Sequence, residues 1–149
     1  MWQRLGRFAR ISASEQWLAL RALGTLALVR VALGMLPFAK VRALMDRVAT
    51  VPMAASDSAV SRAVRRAVDR AARTVPGSAC LAQALTAELL LRRAGQPASV
   101  SIGVAPDGEP LDAHAWVESN GIVVTGDSAD IGRYRTLAVF SSDSQTPRY

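Results

Sequence analysis

Three side chains in this 149-residue chain have the types that nucleophilic catalysis requires: Cys80, His114 and Asp127. A thiol attacks a carbonyl as its thiolate, a neighbouring base manages the protons, and an acid can hold that base in its productive orientation. The chain has one cysteine and one histidine, so the first two have no rival of their type. His114 lies in AHAWVES, which is followed by Asn120-Gly121 and then by IVVTGD. Asn-Gly between two such runs signals a two-residue type I′ hairpin turn, because both central residues need positive φ. With Ser119 paired to Ile122, counting outward in step pairs His114 with Asp127. Directly opposed residues hold their Cβ atoms about 4.5 to 5.5 Å apart on one face, so the carboxylate reaches the imidazole.

The same register puts Trp116, Glu118, Val123 and Thr125 on the His114 face. Ala115, Val117, Ile122, Val124 and Gly126 form the other face, which is apolar and belongs on a core. Cys80 falls at the second position of a predicted helix, where unpaired backbone N–H groups and the positive dipole end favour a thiolate and can receive an oxyanion. Each residue also has a plainer reading. A lone Cys among Ala and Leu is often a small buried hydrophobe, and a lone His often satisfies a local hydrogen bond. The turn signal, independent of both, is what joins them into one candidate site. Asp112 and Asp130 are alternative orienting acids, and Glu88 and Glu118 read as surface or rim residues.

The elements that must position these residues emerge from periodicity. From Ser14 to Leu36 apolar residues occupy nearly all faces and Pro37 ends the run, which predicts a mostly buried helix. A shorter helix is expected over 38–49, and Pro52 breaks the segment after it. Asp57–Arg73 places Val60, Val64, Ala67, Val68 and Ala71 on one stripe and its arginines mainly elsewhere, an amphipathic helix capped by Ser56 or Asp57. After VPGS at 75–78 comes ACLAQALTAELLLRRAG, with Ser78 as expected N-cap, Leu81, Leu85 and Leu89 at helical spacing, and Gly95 past its end. Beyond Pro97 the pattern alternates: Ala98, Val100, Ile102 and Val104 predict a strand. The loop at 106–112 leads to the hairpin, and a further strand is expected near Tyr134 to Phe140. The chain thus divides into a helical part, 1–75, and a part of one helix and an antiparallel sheet, 76–149.

Residues 1–75 carry thirteen basic side chains against four acidic ones, and residues 76–149 five against eight. The excess of +9 in the first part points either to an acidic partner surface or to solvated helical faces. A single cysteine excludes an internal disulfide and fits a reducing cytoplasm. With one histidine besides, a Cys/His metal site lacks ligands, and no cofactor is expected. Arg21 and Arg30 interrupt the apolar stretch that would otherwise read as a membrane span, and no cleavage site comes after it, so a soluble chain is favoured over one lying on a membrane surface. Aromatic content is low and no glycine-rich phosphate loop occurs, which argues against nucleic acid as partner.

CLAQALTAELLLRRAGQPASVSIGV followed by AHAWVESNGIVVTGD resembles the leader peptidases of lasso peptide biosynthesis, which are transglutaminase-like cysteine proteases. The helical first part, including LPFAKVRAL at 36–44, is similar to the segment that precedes this core in stand-alone members. HAWVE also occurs in other transglutaminase-like proteins. The resemblance implies an α+β, papain-like protease core and a triad of Cys80, His114 and Asp127. It also implies removal of the leader from a ribosomally made precursor, after which an ATP-dependent cyclase closes a macrolactam on the new N-terminus. Fused relatives carry a winged-helix leader-recognition module. The first 75 residues here show no strand alternation, so a separate leader-recognition protein is expected, with Arg62, Arg65 and Arg66 as a candidate docking surface for it or for the leader. Transglutaminase-like acyl transfer and non-enzymatic binding through the basic part are the competing readings.

Overall fold

The computed structural model describes residues 12–49, 51–106, 112–126, 131–141 and 144–148. Among them, helices α1 (Ala13–Met35), α2 (Phe38–Val48), α3 (Ser58–Ala72) and α4 (Cys80–Arg93) precede strands β1 (Ser99–Val104), β2 (Ala113–Ser119), β3 (Ile122–Thr125), β4 (Arg135–Ser141) and β5 (Ser144–Arg148). The sheet is antiparallel with order β3-β2-β1-β4-β5, so the His114 strand is flanked on both sides. Helix α4 lies against β2, and α1 and α3 pack on α4 and on each other.

Local chemistry accounts for the helix limits. Ser12 accepts a hydrogen bond from the Glu15 N–H and opens α1, and Asp57 accepts one from Ala59 N–H and opens α3. Pro37 separates α1 from α2. Helix α4 departs from expectation: its N-cap is Ala79, and Ser78 donates its hydroxyl to the Ala72 carbonyl at the end of α3 instead of capping. Cys80 is therefore the first helical residue.

One apolar core joins the helices to the sheet. Ala22, Leu26 and Val29 of α1, Val64 and Val68 of α3, Leu85 and Leu91 of α4, and Val100, Ala115, Val117 and Val124 of the sheet all belong to it. Two expectations need correction. Helix α1 is not mostly buried: only Ala19, Ala22, Leu26 and Val29 are, because the protein covers a single stripe of it. Glu88 is not a rim residue: it is 0% exposed on α4, where it meets Arg42 of α2, with Arg92 Nη1 3.5 Å away.

Asn120 (φ 51°) and Gly121 (φ 74°) make the expected primed turn between β2 and β3. Ser119 pairs with Ile122 and Glu118 with Val123, in the expected register, but Val117 then faces Thr125. A bulge thus adds a residue on β3, and the in-step pairing that was to carry His114 onto Asp127 does not continue along the ladder. Asp127 and Asp130 themselves lie outside the described residues.

Candidate active site

Cys80 opens α4, so the N–H groups of the first turn have no carbonyl one turn back to bond. The intrahelical ladder begins with Gln83 N–H bonding Ala79 O at 3.2 Å. The N–H groups before it and the dipole behind them are available to a thiolate or to an oxyanion near the Cys80 sulfur. Cys80 is partly buried and packs against the apolar core, so its backbone anchors while one side stays accessible.

His114 lies near the start of β2, on the face opposite Ala115 and Val117, which enter the core against α4. Its ring is fixed on several sides. Nε2 is 2.8 Å from the Gly126 carbonyl oxygen. A carbonyl only accepts, so Nε2 carries the proton and Nδ1 is the basic nitrogen of the neutral ring. The Tyr134 ring stacks on the imidazole with centroids 5.0 Å apart and planes 27° apart, and Trp116 lies at 6.3 Å and 20°. Across the sheet His114 pairs with Gly103, which puts no side chain opposite the imidazole.

Gly126 is held where no other residue fits without strain. Its φ is +75°, and a Cβ there would stand 2.6 Å from the Ala115 carbonyl oxygen and 2.8 Å from the Trp116 Cβ. The chain leaving β3 is thus pressed onto β2 beside His114, which brings the Gly126 carbonyl to the imidazole. In-step counting places Gly126 on the apolar face and gives it no role. The signal for one is a glycine directly after a strand, where close backbone approach is a common cause.

Tyr134 is the other residue that sequence reasoning misses. Its hydroxyl donates to Asp112 Oδ2 at 2.9 Å, the same oxygen that Arg133 meets at 3.1 Å, and the Arg133 guanidinium lies 5.4 Å over the tyrosine ring. Asp112, an alternative orienting acid by sequence, thus holds the tyrosine that stacks on His114.

Beside His114 is a cleft of about 440 Å³, lined by Arg65, Asp69 and Arg73 of the α3 region, by Gln83, and by Thr125 and Gly126. Gln83, one helical turn beyond Cys80, brings the first turns of α4 to the cleft wall, while Cys80 itself is not among the lining residues. Arg65 also bonds the Val123 carbonyl at 3.1 Å, tying the α3 wall to β3. Among the described residues no group of three His, Cys, Asp or Glu side chains has the arrangement of a metal site.

A helix-opening thiol, an imidazole of defined tautomer on a strand packed against that helix and a cleft beside the imidazole are of the types that covalent acyl chemistry uses. No curated protein and no solved structure matches the chain significantly. Residues 23–139, from the middle of α1 into β4, match the family described as the Transglutaminase-like superfamily, and the chain belongs to that superfamily.

Proposed function

We propose that this protein is a cysteine peptidase that removes the leader from a ribosomally made lasso peptide precursor. The observation that carries the chemistry is the His114 Nε2–Gly126 carbonyl bond, 2.8 Å long, because it leaves Nδ1 as the base of a cleft bordered by the Cys80 helix. The substrate class rests on the resemblance of the CLAQAL helix and the HAWVES hairpin to the leader peptidases.

In this mechanism the Cys80 thiolate attacks the scissile carbonyl and His114 holds the thiol proton as imidazolium. The α4 N–H groups receive the developing oxyanion. Collapse breaks the C–N bond, His114 protonates the leaving amine, and a thioester forms on Cys80. Water activated by His114 then hydrolyses the thioester, which regenerates the thiol and frees the carboxylate. Asp127 is the proposed third member, stabilising the imidazolium.

The protein would work in the cytoplasm on the precursor's leader region, alongside a separate leader-recognition protein and before an ATP-dependent macrolactam cyclase. The basic outer face of α3 is a candidate contact for the recognition protein. Arg62 bonds within its own helix, to Ser58 at 3.1 Å, and Arg66 forms an exposed pair with Glu15, so both can be reversed to Glu without opening the core. Reversal should weaken pull-down of the recognition protein, and unchanged binding removes that role.

The decisive experiment is mass spectrometry of a lasso precursor incubated with the wild-type protein or with Cys80→Ala, with and without the recognition protein. Separate leader and core from the wild type alone support the peptidase. A product joined to an added amine identifies acyl transfer, and an intact precursor under every condition rejects the reading.

A further inference from the structure

We infer that the outward face of α1 docks this protein on an anionic membrane surface. Trp17, Leu20, Leu28, Val31 and Met35 recur at helical spacing along one side of α1, with exposures from 56% to 78%. Gly24, Ala27 and Gly34 fill the same exposed side, and a Cβ on either glycine would meet nothing within 4 Å. The buried stripe of Ala19, Ala22, Leu26 and Val29 lies on the opposite side of the helix. Two apolar faces back to back explain why a helix with one side in a protein core is also apolar and long enough to cross a membrane by length and composition. The core contacts of Ala22, Leu26 and Val29 with the rest of the protein oppose a span and leave the second face open. An exposed apolar strip of this length marks an interaction surface.

Charge decides which surface. Arg21 borders the strip and is exposed, Leu36 follows it at the C-terminal end of α1 and is exposed, and Lys40 is exposed in the first turn of α2. The acid of α1, Glu15, is paired with Arg66. The eleven residues that precede Ser12 contain Arg4, Arg7 and Arg10 with Trp2, Leu5, Phe8 and Ile11, and no acid. Cations interleaved with tryptophan, phenylalanine and leucine match a bilayer whose headgroups are anionic and whose acyl region begins just beneath. The inference is independent of the leader-peptidase reading, since none of the α1 residues named above borders the His114 cleft.

The test is flotation of the full-length protein with vesicles of phosphatidylcholine alone or mixed with phosphatidylglycerol, at low and high salt. Wild type should float with the phosphatidylglycerol vesicles, less at high salt and little with phosphatidylcholine alone. Leu28→Glu combined with Val31→Glu should weaken this by about tenfold or more, because both side chains would have to leave the acyl region. Circular dichroism of the double variant should match wild type, since both positions are exposed. If the double variant is misfolded, Leu28→Ser with Val31→Ser replaces it, with the same expected direction. Wild type that stays with the soluble fraction overturns the inference, as does a folded variant that floats equally. A concentration-dependent dimer that the variant abolishes, without flotation, assigns the face to a second copy and overturns it as well.

Discussion

At His114, the proposed base, the atoms that set the ring are backbone and aromatic ones. The Gly126 carbonyl fixes the tautomer and the Tyr134 ring fixes the plane, so each can be tested apart from the thiol. Gly126→Ala should be severe, because its Cβ would stand 2.6 Å from the Ala115 carbonyl and its φ is +75°. A loss of about 2 kcal/mol or more is expected in thermal or urea unfolding, with the His114 orientation lost as the chain shifts. Tyr134→Ala should leave the fold nearly intact while lowering the proposed peptide cleavage about ten- to a hundredfold, mainly in kcat, because misplacing the proposed base acts on the transition state. Tyr134→Phe keeps the stack and loses the Asp112 hydrogen bond, so it should fall between Ala and wild type. Equal loss in both variants would assign the effect to the Asp112 bond and not to stacking. An Asp112→Asn protein, which keeps an acceptor for the tyrosine hydroxyl, should then separate the two contributions.

Among the elements, the hairpin and α2 are held by polar devices that the sequence shows unequally. The Asn120-Gly121 turn is legible, because its dipeptide demands the φ values observed. The bulge is not, since it depends on how Gly126 and Trp116 pack and no local residue pattern encodes it. Asn120 also reaches beyond its turn: its Nδ2 donates to Gln96 Oε1 at 2.9 Å and to Ser61 Oγ at 3.1 Å, joining the hairpin to α3 and to the segment that follows α4. Asn120→Gly should therefore keep the turn yet cost about 2 kcal/mol in urea unfolding, through part-buried hydrogen bonds lost. Helix α2 is fixed by Arg42, which meets Glu88 and lies 5.0 Å over the Phe140 ring, while Phe38 packs edge-on to Phe140 at 5.6 Å. The LPFAKVRAL segment thus clasps α4 and β4. Its arginine reads as one more surface charge because its acid lies 46 residues away. Burial pushes the Glu88 carboxyl above its ordinary value of 4.5, while Arg42 and then Arg92 pull it back. Arg42→Met removes the main pull, so the folded state holds a proton that the unfolded chain releases. Where that is so, stability falls as pH rises from 4.5 through the raised folded value. The variant should lose about 3 kcal/mol near neutral pH and less at about pH 5, read from thermal melts at both. A loss independent of pH would mean that Phe140 packing, and not charge, is what Arg42 supplies.

For the whole molecule, the question is whether the helical first part is an appendage to a catalytic part or belongs to its core. Periodicity places α1, α3, α4 and strands β1 to β4, misses β5, and places Cys80 at a helix start. It cannot say which face of α1 is covered, because an apolar side chain gives the same signal toward a protein core and toward another apolar surface. The core answers this: Ala22, Leu26 and Val29 of α1 share one cluster with Leu85 and Leu91 of α4 and with Val117 of the His114 strand. The superfamily match likewise starts at residue 23, within α1, and runs to residue 139. Helix α4 is the shared element. One side lies on the sheet and another beneath α1 and α3, and Ala82, Ala84, Leu85, Ala87 and Leu91 are all buried. A fragment of residues 76–149 would expose the α1- and α3-facing side of the very helix that presents Cys80. That fragment should be insoluble or lack cooperative unfolding, although it retains Cys80, His114 and Asp127, because so small a sheet-and-helix unit buries too little apolar surface to offset its ordering entropy. Leu26→Ala in the intact chain tests the same dependence more gently. Leu26 is 0% exposed, and its truncation should cost about 3 kcal/mol and reduce the proposed cleavage only as far as the folded fraction falls. Full stability of the Leu26→Ala protein, or a cooperatively folded 76–149 fragment, would show that the site stands without the helices packed behind it.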